Sequence, residues 1–172
     1  MNPETAQLLS QVTARLQQCI REGDCPAMIA LDGLQQLTLS DYDYLRDDAA
    51  AARFEERAAS AARQVSACRW VLAVPQVWVV TPDVISVRAV SNLPLRPGES
   101  EAITWMAFDF VDGIDYGRVL FTRRPSGEPV FADPEVVAHP ARPAAGMPGY
   151  TMLQVMLGDD VNPAGDDLDS TR

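Results

Sequence analysis

The sequence has no lysine; all 14 of its basic residues are arginine. That absence excludes a Schiff base to a carbonyl substrate or a pyridoxal cofactor, and it excludes the phosphate-gripping lysine of a P-loop. Histidine is nearly absent too. His139 is the only one, so any Ser-His-Asp or imidazole general-base chemistry would have to run through a residue set between Ala138 and Pro140. No serine stands in a Gly-x-Ser-x-Gly elbow to partner it, so His139 is expected to pack a surface or a strap. The three cysteines, Cys19, Cys25 and Cys68, are an odd number and read as free thiols, not a disulfide framework. Neither Cys19 nor Cys25 has a histidine or further cysteine clustered beside it, which argues against zinc. Cys68, followed by Arg69, is the least implausible nucleophile, but a buried thiol is the simpler account.

Long apolar runs are missing as well. No window reaches the length that crosses a bilayer, and the opening Met1-Asn2-Pro3-Glu4 lacks the charged and apolar regions of a secretory signal. The expectation is a cytoplasmic protein without membrane contact. Asparagine is scarce, alanine is abundant and every base is arginine, a bias that points to GC-rich coding in a bacterium or one of its mobile elements. The formal net charge of −10 works against tracking a phosphate backbone and steers basic partners toward the surface instead. A chain of 172 residues is one ordinary domain, able to bury roughly two-thirds of its unfolded surface.

What is present divides the chain clearly. Asn2, Pro3 and Glu4 open a helix whose apolar stripe is Leu8, Leu9, Val12, Leu16, Cys19 and Ile20, stopped by Gly23. Asp24, Cys25 and Pro26 suggest a second, short helix to about Leu37, with Ile29, Leu34 and Leu37 as candidate buried positions, weakened by Gly33. Ser40, Asp41 and Asp43 suggest a third, Ala-rich helix to about Cys68. From Trp70 onward the composition turns β-branched and aromatic, with strands expected near 70–74, 77–80, 84–90, 103–111, 118–123 and 130–131. Pro75 marks a bulge, bend or edge between the first two, and Thr81-Pro82-Asp83 reads as a turn.

The expected fold is therefore α+β: N-terminal helices (3–67) packed on a five- to six-stranded antiparallel sheet (69–132). A proline-rich strap (133–149) follows, then a segment at 150–157 that reads as a short helix in preference to a strand. Together these make a single domain over 1–158, and an acidic tail (159–172) is expected to be disordered.

The segment from Asp109 to Glu128 sets Asp109, Asp112 and Asp115 at three-residue intervals ahead of Arg118, Arg123 and Arg124. Spacing by three in a strand splits carboxylates between opposite faces, unlike the alternating oxygens of a calcium loop. A three-stranded meander explains the charges better. A four-residue loop at 112–115 would set Asp109 against Arg118, Phe108 against Val119 and Met106 against Phe121. The Arg124-Pro125-Ser126-Gly127 link would set Arg124 against Glu128 and Phe121 against Phe131.

Two constellations remain as candidates. Asp109, Arg118 and Trp105 would serve as polar and stacking groups of a ligand pocket between the long helix and the sheet. Asp41, Asp43, Asp47 and Asp48 would form an acidic docking face or, with Glu55 and Glu56, a carboxylate site; carboxylates supporting a helix N-terminus and otherwise facing water are the plainer account. Trp70, Trp78 and Trp105 belong to the core unless one sheet face is bare.

No metal or cofactor is implied. The functional expectation is a non-enzymatic protein-interaction module of the adaptor, inhibitor or chaperone-like kind. Its partner would be another protein, with a homodimer as an option, and direct nucleic-acid binding is not expected. A small-molecule binder or minor enzyme is the first alternative, an acidic nucleic-acid mimic the second.

Overall fold

The computed structural model describes residues 1–80, 85–90, 94–140 and 146–157. Three helices and eight strands follow in the order α1 (Pro3–Glu22), β1 (Ala27–Asp32), β2 (Gln36–Asp41), α2 (Asp48–Gln64), β3 (Arg69–Val80), β4 (Ile85–Ala89), β5 (Glu99–Asp109), β6 (Gly113–Arg123), β7 (Pro129–Phe131), β8 (Glu135–Ala138) and α3 (Tyr150–Leu157). All pairings are antiparallel in one curled α+β sheet, ordered β2-β1-β3-β5-β6-β7, with β4 on β3 and β8 on β6. The expected turn at Thr81–Asp83, residues 141–145 of the strap and the acidic tail lie outside the described residues.

Helix α1 forms as the sequence dictates. The Asn2 side chain accepts from the Thr5 N–H at 2.8 Å, Pro3 fills a position whose N–H is unused, and Gly23 closes the helix in the left-handed region at φ 92°. Its stripe of Leu8, Leu9, Val12, Leu16 and Ile20 is buried on one face of the sheet, against Met28, Ala30, Val71, Ala73, Ile103, Trp105 and Val119.

The second expected helix does not form. Residues 27–41 are a hairpin instead, with Leu34 exposed at its turn; its two strands and β8, which lies within the expected strap, are the three not expected from the sequence, while two of the six expected runs merge into β3. Ala27–Asp32 is buried on both sides as an inner strand, so its apolar run carries no periodicity that separates helix from strand. Gln36–Asp41 alternates exposed and half-buried residues, the period-two signature of a sheet margin, with Leu37 and Leu39 turned inward. Gly33 is required by space: a Cβ there would lie 2.3 Å from the Val65 carbonyl oxygen.

The Ala-rich helix also starts later than expected. Ser40 and Asp41 complete β2, and Asp47, not Ser40, caps α2 by accepting from the Ala50 N–H at 2.7 Å. Its buried row of Ala50, Phe54, Ala58, Ala59 and Ala62 packs with α3 on the second sheet face, over Ile29, Leu31, Trp70, Leu72, Met106 and Phe108. The segment at 150–157 is the helix expected. Both faces are thus covered, and Trp70, Trp78 and Trp105 are all core residues, none more than 2% exposed.

Pro75 sits inside the longest strand. It pairs with Ile103 of β5 on one flank, while on the other β1 ends at Ala73 and β4 begins at Gln76, so neither pairs with Val74 or Pro75. The two runs expected around it are one strand, and the proline marks the point where an edge changes partner.

Candidate functional site

The β5–β6 hairpin has a different register from the one expected. Asp109 pairs with Gly113, Phe108 with Ile114, Met106 with Tyr116, Trp105 with Gly117 and Thr104 with Arg118. Gly113 takes φ 83°, which allows a three-residue connection of Phe110, Val111 and Asp112. The Asp109 carboxylate stabilises it by accepting from the Val111 N–H (2.8 Å) and the Asp112 N–H (3.3 Å). The second link is as expected: Phe121 pairs with Phe131, Gly127 is left-handed at φ 87°, and Arg124 meets Glu128 at 2.8 Å.

Asp109, Arg118 and Trp105 therefore do not converge. Asp109 faces Arg69, which bridges it (3.1 Å) to Asp32 (2.8 Å) in a ladder across β1, β3 and β5. The Thr5 hydroxyl also donates to Asp109, tying in α1 at 3.2 Å. Burial pushes the Asp109 pKa up, but hydrogen bonds from Asn2, Val111, Arg69 and Asp112 outweigh it and hold the carboxyl well below the usual range. Arg118 lies on the opposite sheet face, its guanidinium 4.7 Å from the Trp78 ring centroid and paired with Glu135. Trp105 is wholly buried across Gly117, where a Cβ would lie 2.2 Å from its ring.

The acidic group at 41–48 is organised locally. Asp41 accepts from Arg57 (2.5 Å) and from the Asp43 N–H (2.7 Å). Burial opposes its ionisation, and these donors outweigh it to lower the pKa. Asp43 and Asp47 share Arg46, and the Ala50 N–H with Arg46 depresses the Asp47 pKa. Asp48 lies in the first turn of α2. Glu55 turns inward: its carboxylate accepts from the Tyr44 hydroxyl (2.6 Å) and from the Gly149 and Met152 N–H groups (2.8 and 3.1 Å). It thereby satisfies donors at the start of α3 that have no helical acceptor. Burial, then the adjacent Glu55, drive the Tyr44 pKa upward.

Two surfaces emerge that sequence reasoning did not place. At one end of the sheet the β1–β2 and β5–β6 turns leave Leu34 85%, Phe110 62% and Val111 89% exposed. They flank Cys68, which is exposed and not the buried thiol expected; its N–H donates to the Asp32 carbonyl and its carbonyl accepts from the Phe110 N–H. The Asp32–Arg69–Asp109 ladder runs beneath. At the other end a cleft of about 850 Å³ opens beside the C-terminus of α1, lined by Ile20, Cys25, Val77, Leu95 and Phe121 with Glu101 and Arg123. Arg123 grips both Glu101 oxygens at 2.8 and 2.9 Å in a bidentate pair. Burial pushes the Cys25 thiol up, and the nearby Arg123 guanidinium opposes that shift.

Among the described residues, the buried side-chain atoms Trp70 Nε1, Gln76 Oε1 and Trp105 Nε1 lack hydrogen-bond partners, and none of these residues lines the cleft. Among the described residues no group of three or more His, Cys, Asp or Glu side chains is placed to hold a metal, and no helix is long and apolar enough to cross a membrane. His139 is a surface residue on the strap: its Nδ1 is 2.5 Å from Asp115 Oδ1, and the N-terminal ammonium approaches the other Asp115 oxygen at 3.2 Å. Comparison with protein-family models, with curated proteins and with solved structures finds no match to the chain.

Proposed function

We propose that the protein is a non-enzymatic interaction module, of the adaptor, inhibitor or chaperone-like kind, that engages a protein partner through the end of the sheet bearing Leu34, Phe110 and Val111. The carrying observation is the exposure of three large apolar side chains on neighbouring turns whose backbones are hydrogen-bonded together through Cys68. Aliphatic and aromatic side chains grouped this way over a rigid ladder suit the centre of an interface, where apolar anchors exclude water. The net charge of −10 favours a partner with a basic margin. The paired state of the acids at 41–48 supports a structural role for them, and it gives little support to the reading as an acidic nucleic-acid mimic.

The cleft beside Glu101 and Arg123 favours a second reading, a small-molecule binder. One experiment separates the two. A photo-crosslinking residue replaces Val111 or, as a control, the exposed Gln18, and the chain is expressed in its native host. A discrete protein adduct from position 111, lost when Leu34→Asp is added, supports the module. A strict monomer with no adduct at either position, purified with a small molecule in the cleft, supports the second reading and overturns the first.

A further inference from the structure

The outer flank of β6 is covered in two pieces of unequal quality. β7 pairs with Phe121–Arg123 through Phe131, whose ring lies 5.0 Å from that of Phe121. β8 pairs with Tyr116–Arg118 alone, and its register breaks between Tyr116 and Gly117. All four residues of β8 are exposed, Val136 at 43% and Val137 at 40%, so β8 has no fully buried side chain to anchor it, whereas β7 buries Pro129. It is bracketed by Pro134 and Pro140 and latched at its ends by Glu135 on Arg118 and His139 on Asp115.

The edge beneath is built to a different standard. Tyr116 stacks on Trp78 (centroids 6.4 Å apart), Arg118 lies over the same indole, and Gly117 lets the backbone of a neighbouring strand approach closely. A Cβ at Gly117 would lie 2.2 Å from the Glu135 carbonyl oxygen, so the site admits main chain and no side chain. A rigid strand edge under a loosely held cover is the geometry of strand addition.

We propose that β8 is a replaceable strand and that the Asp115–Arg118 edge of β6 receives an extended segment of a partner protein. β8 itself gives the chemistry of the occupant. An acidic residue pairs with Arg118, and a cationic or imidazole side chain four positions later pairs with Asp115. Small or β-branched residues lie between, contributing main-chain hydrogen bonds. This rests on the interaction-module reading and names the form of one partner segment. The N-terminal ammonium lies on the other oxygen of the same carboxylate, so Asp115 is shared between this contact and the latch.

The test uses the full chain and a labelled, capped peptide with the sequence of residues 133–140. In the chain variant Glu135→Arg/His139→Glu both latches are reversed. The peptide is expected to bind this variant at least tenfold tighter than it binds the unaltered chain, whose own β8 competes. A peptide with the same two charges reversed is expected to bind more weakly than the native peptide. If the variant unfolds cooperatively at the usual denaturant concentration yet takes up neither peptide, the proposal fails.

Hydrogen exchange on the unaltered chain guards against a variant that does not fold. Outward-facing amides of Asp115–Arg118 should exchange at least a hundredfold faster than those of Ile103–Met106, and equal protection overturns the proposal. An adduct at position 111 without peptide capture on β6 would leave the module reading in place and remove this one alone.

Discussion

The two faces of the sheet are closed by helices that depend on the rest of the molecule to different degrees. Helix α1 carries its own ends, with Asn2 capping the start and Gly23 turning the chain at the finish, and it docks through large aliphatic side chains. On the other face α2 presents mainly alanines, and the short α3 takes its N-terminal acceptor from Glu55 of α2. The first face is held by apolar area that a local pattern specifies. The second adds to its apolar contacts a buried carboxylate whose value depends on three donors arriving from elsewhere. Hydrophobic burial degrades gradually when trimmed, whereas a buried polar hub fails abruptly when its centre is removed.

Glu55→Ala tests that contrast most severely. It strands the Tyr44 hydroxyl and two backbone N–H groups in the interior, and urea titration should show a loss of about 3–5 kcal/mol. Gly117→Val attacks the α1 face by forcing Trp105 and the Glu135 carbonyl away. A loss of about 3 kcal/mol is expected, the upper end of ordinary overpacking.

Acid should act more gradually. Asp109 has a folded pKa below its unfolded one, so its contribution is complete above the ordinary aspartate value of about 3.9 and is lost as pH falls through the folded value. Glu99, held down to about 2 first by Arg88 and then by the Arg96 N–H, changes in the same direction. Unfolding free energies from urea titrations between pH 5 and pH 2 should fall as the pH falls, by at most about 1.4 kcal/mol per pH unit for the one proton that unfolding adds at Asp109. Asp109→Asn should flatten that slope.

Asn2→Ala should cost only about 1 kcal/mol, since the apolar stripe of α1 remains. Equal losses from Asn2→Ala and Glu55→Ala would break the comparison between the faces. Thiol labelling perturbs least and sharpens it. Exposed Cys68 should react first, with Cys19 and Cys25 slower because burial, first among the causes, raises both thiol pKa values.

Features written within a few residues were legible. The caps and stripe of α1, the Arg124–Gly127 turn with its Phe121–Phe131 register, and the helix at 150–157 all follow from local spacing. The β1–β2 hairpin was hidden because a strand buried on both faces and a buried helix share one composition. The β5–β6 register was missed because Gly113 and the Asp109 carboxylate shorten the turn, a choice that Asp112-Gly113 signals only weakly.

Of the candidate residues, Asp109 and Arg118 do form ion pairs, but with Arg69 and Glu135 in place of each other. Glu55 and its partners Gly149 and Met152 stand 94 and 97 residues apart, and Glu101 and Arg123 stand 22 apart. No pattern along the chain announces such meetings.

Pro75 has a consequence for how this sheet tolerates change. Because β1 stops at Ala73 and β4 starts at Gln76, the two hairpins hang on separate stretches of one spine, with a residue that cannot donate marking the splice. Lengthening or trimming the β1–β2 hairpin need not disturb the register of β4, so the two arms are free to diverge independently while the Ile103 side of the spine keeps its alignment.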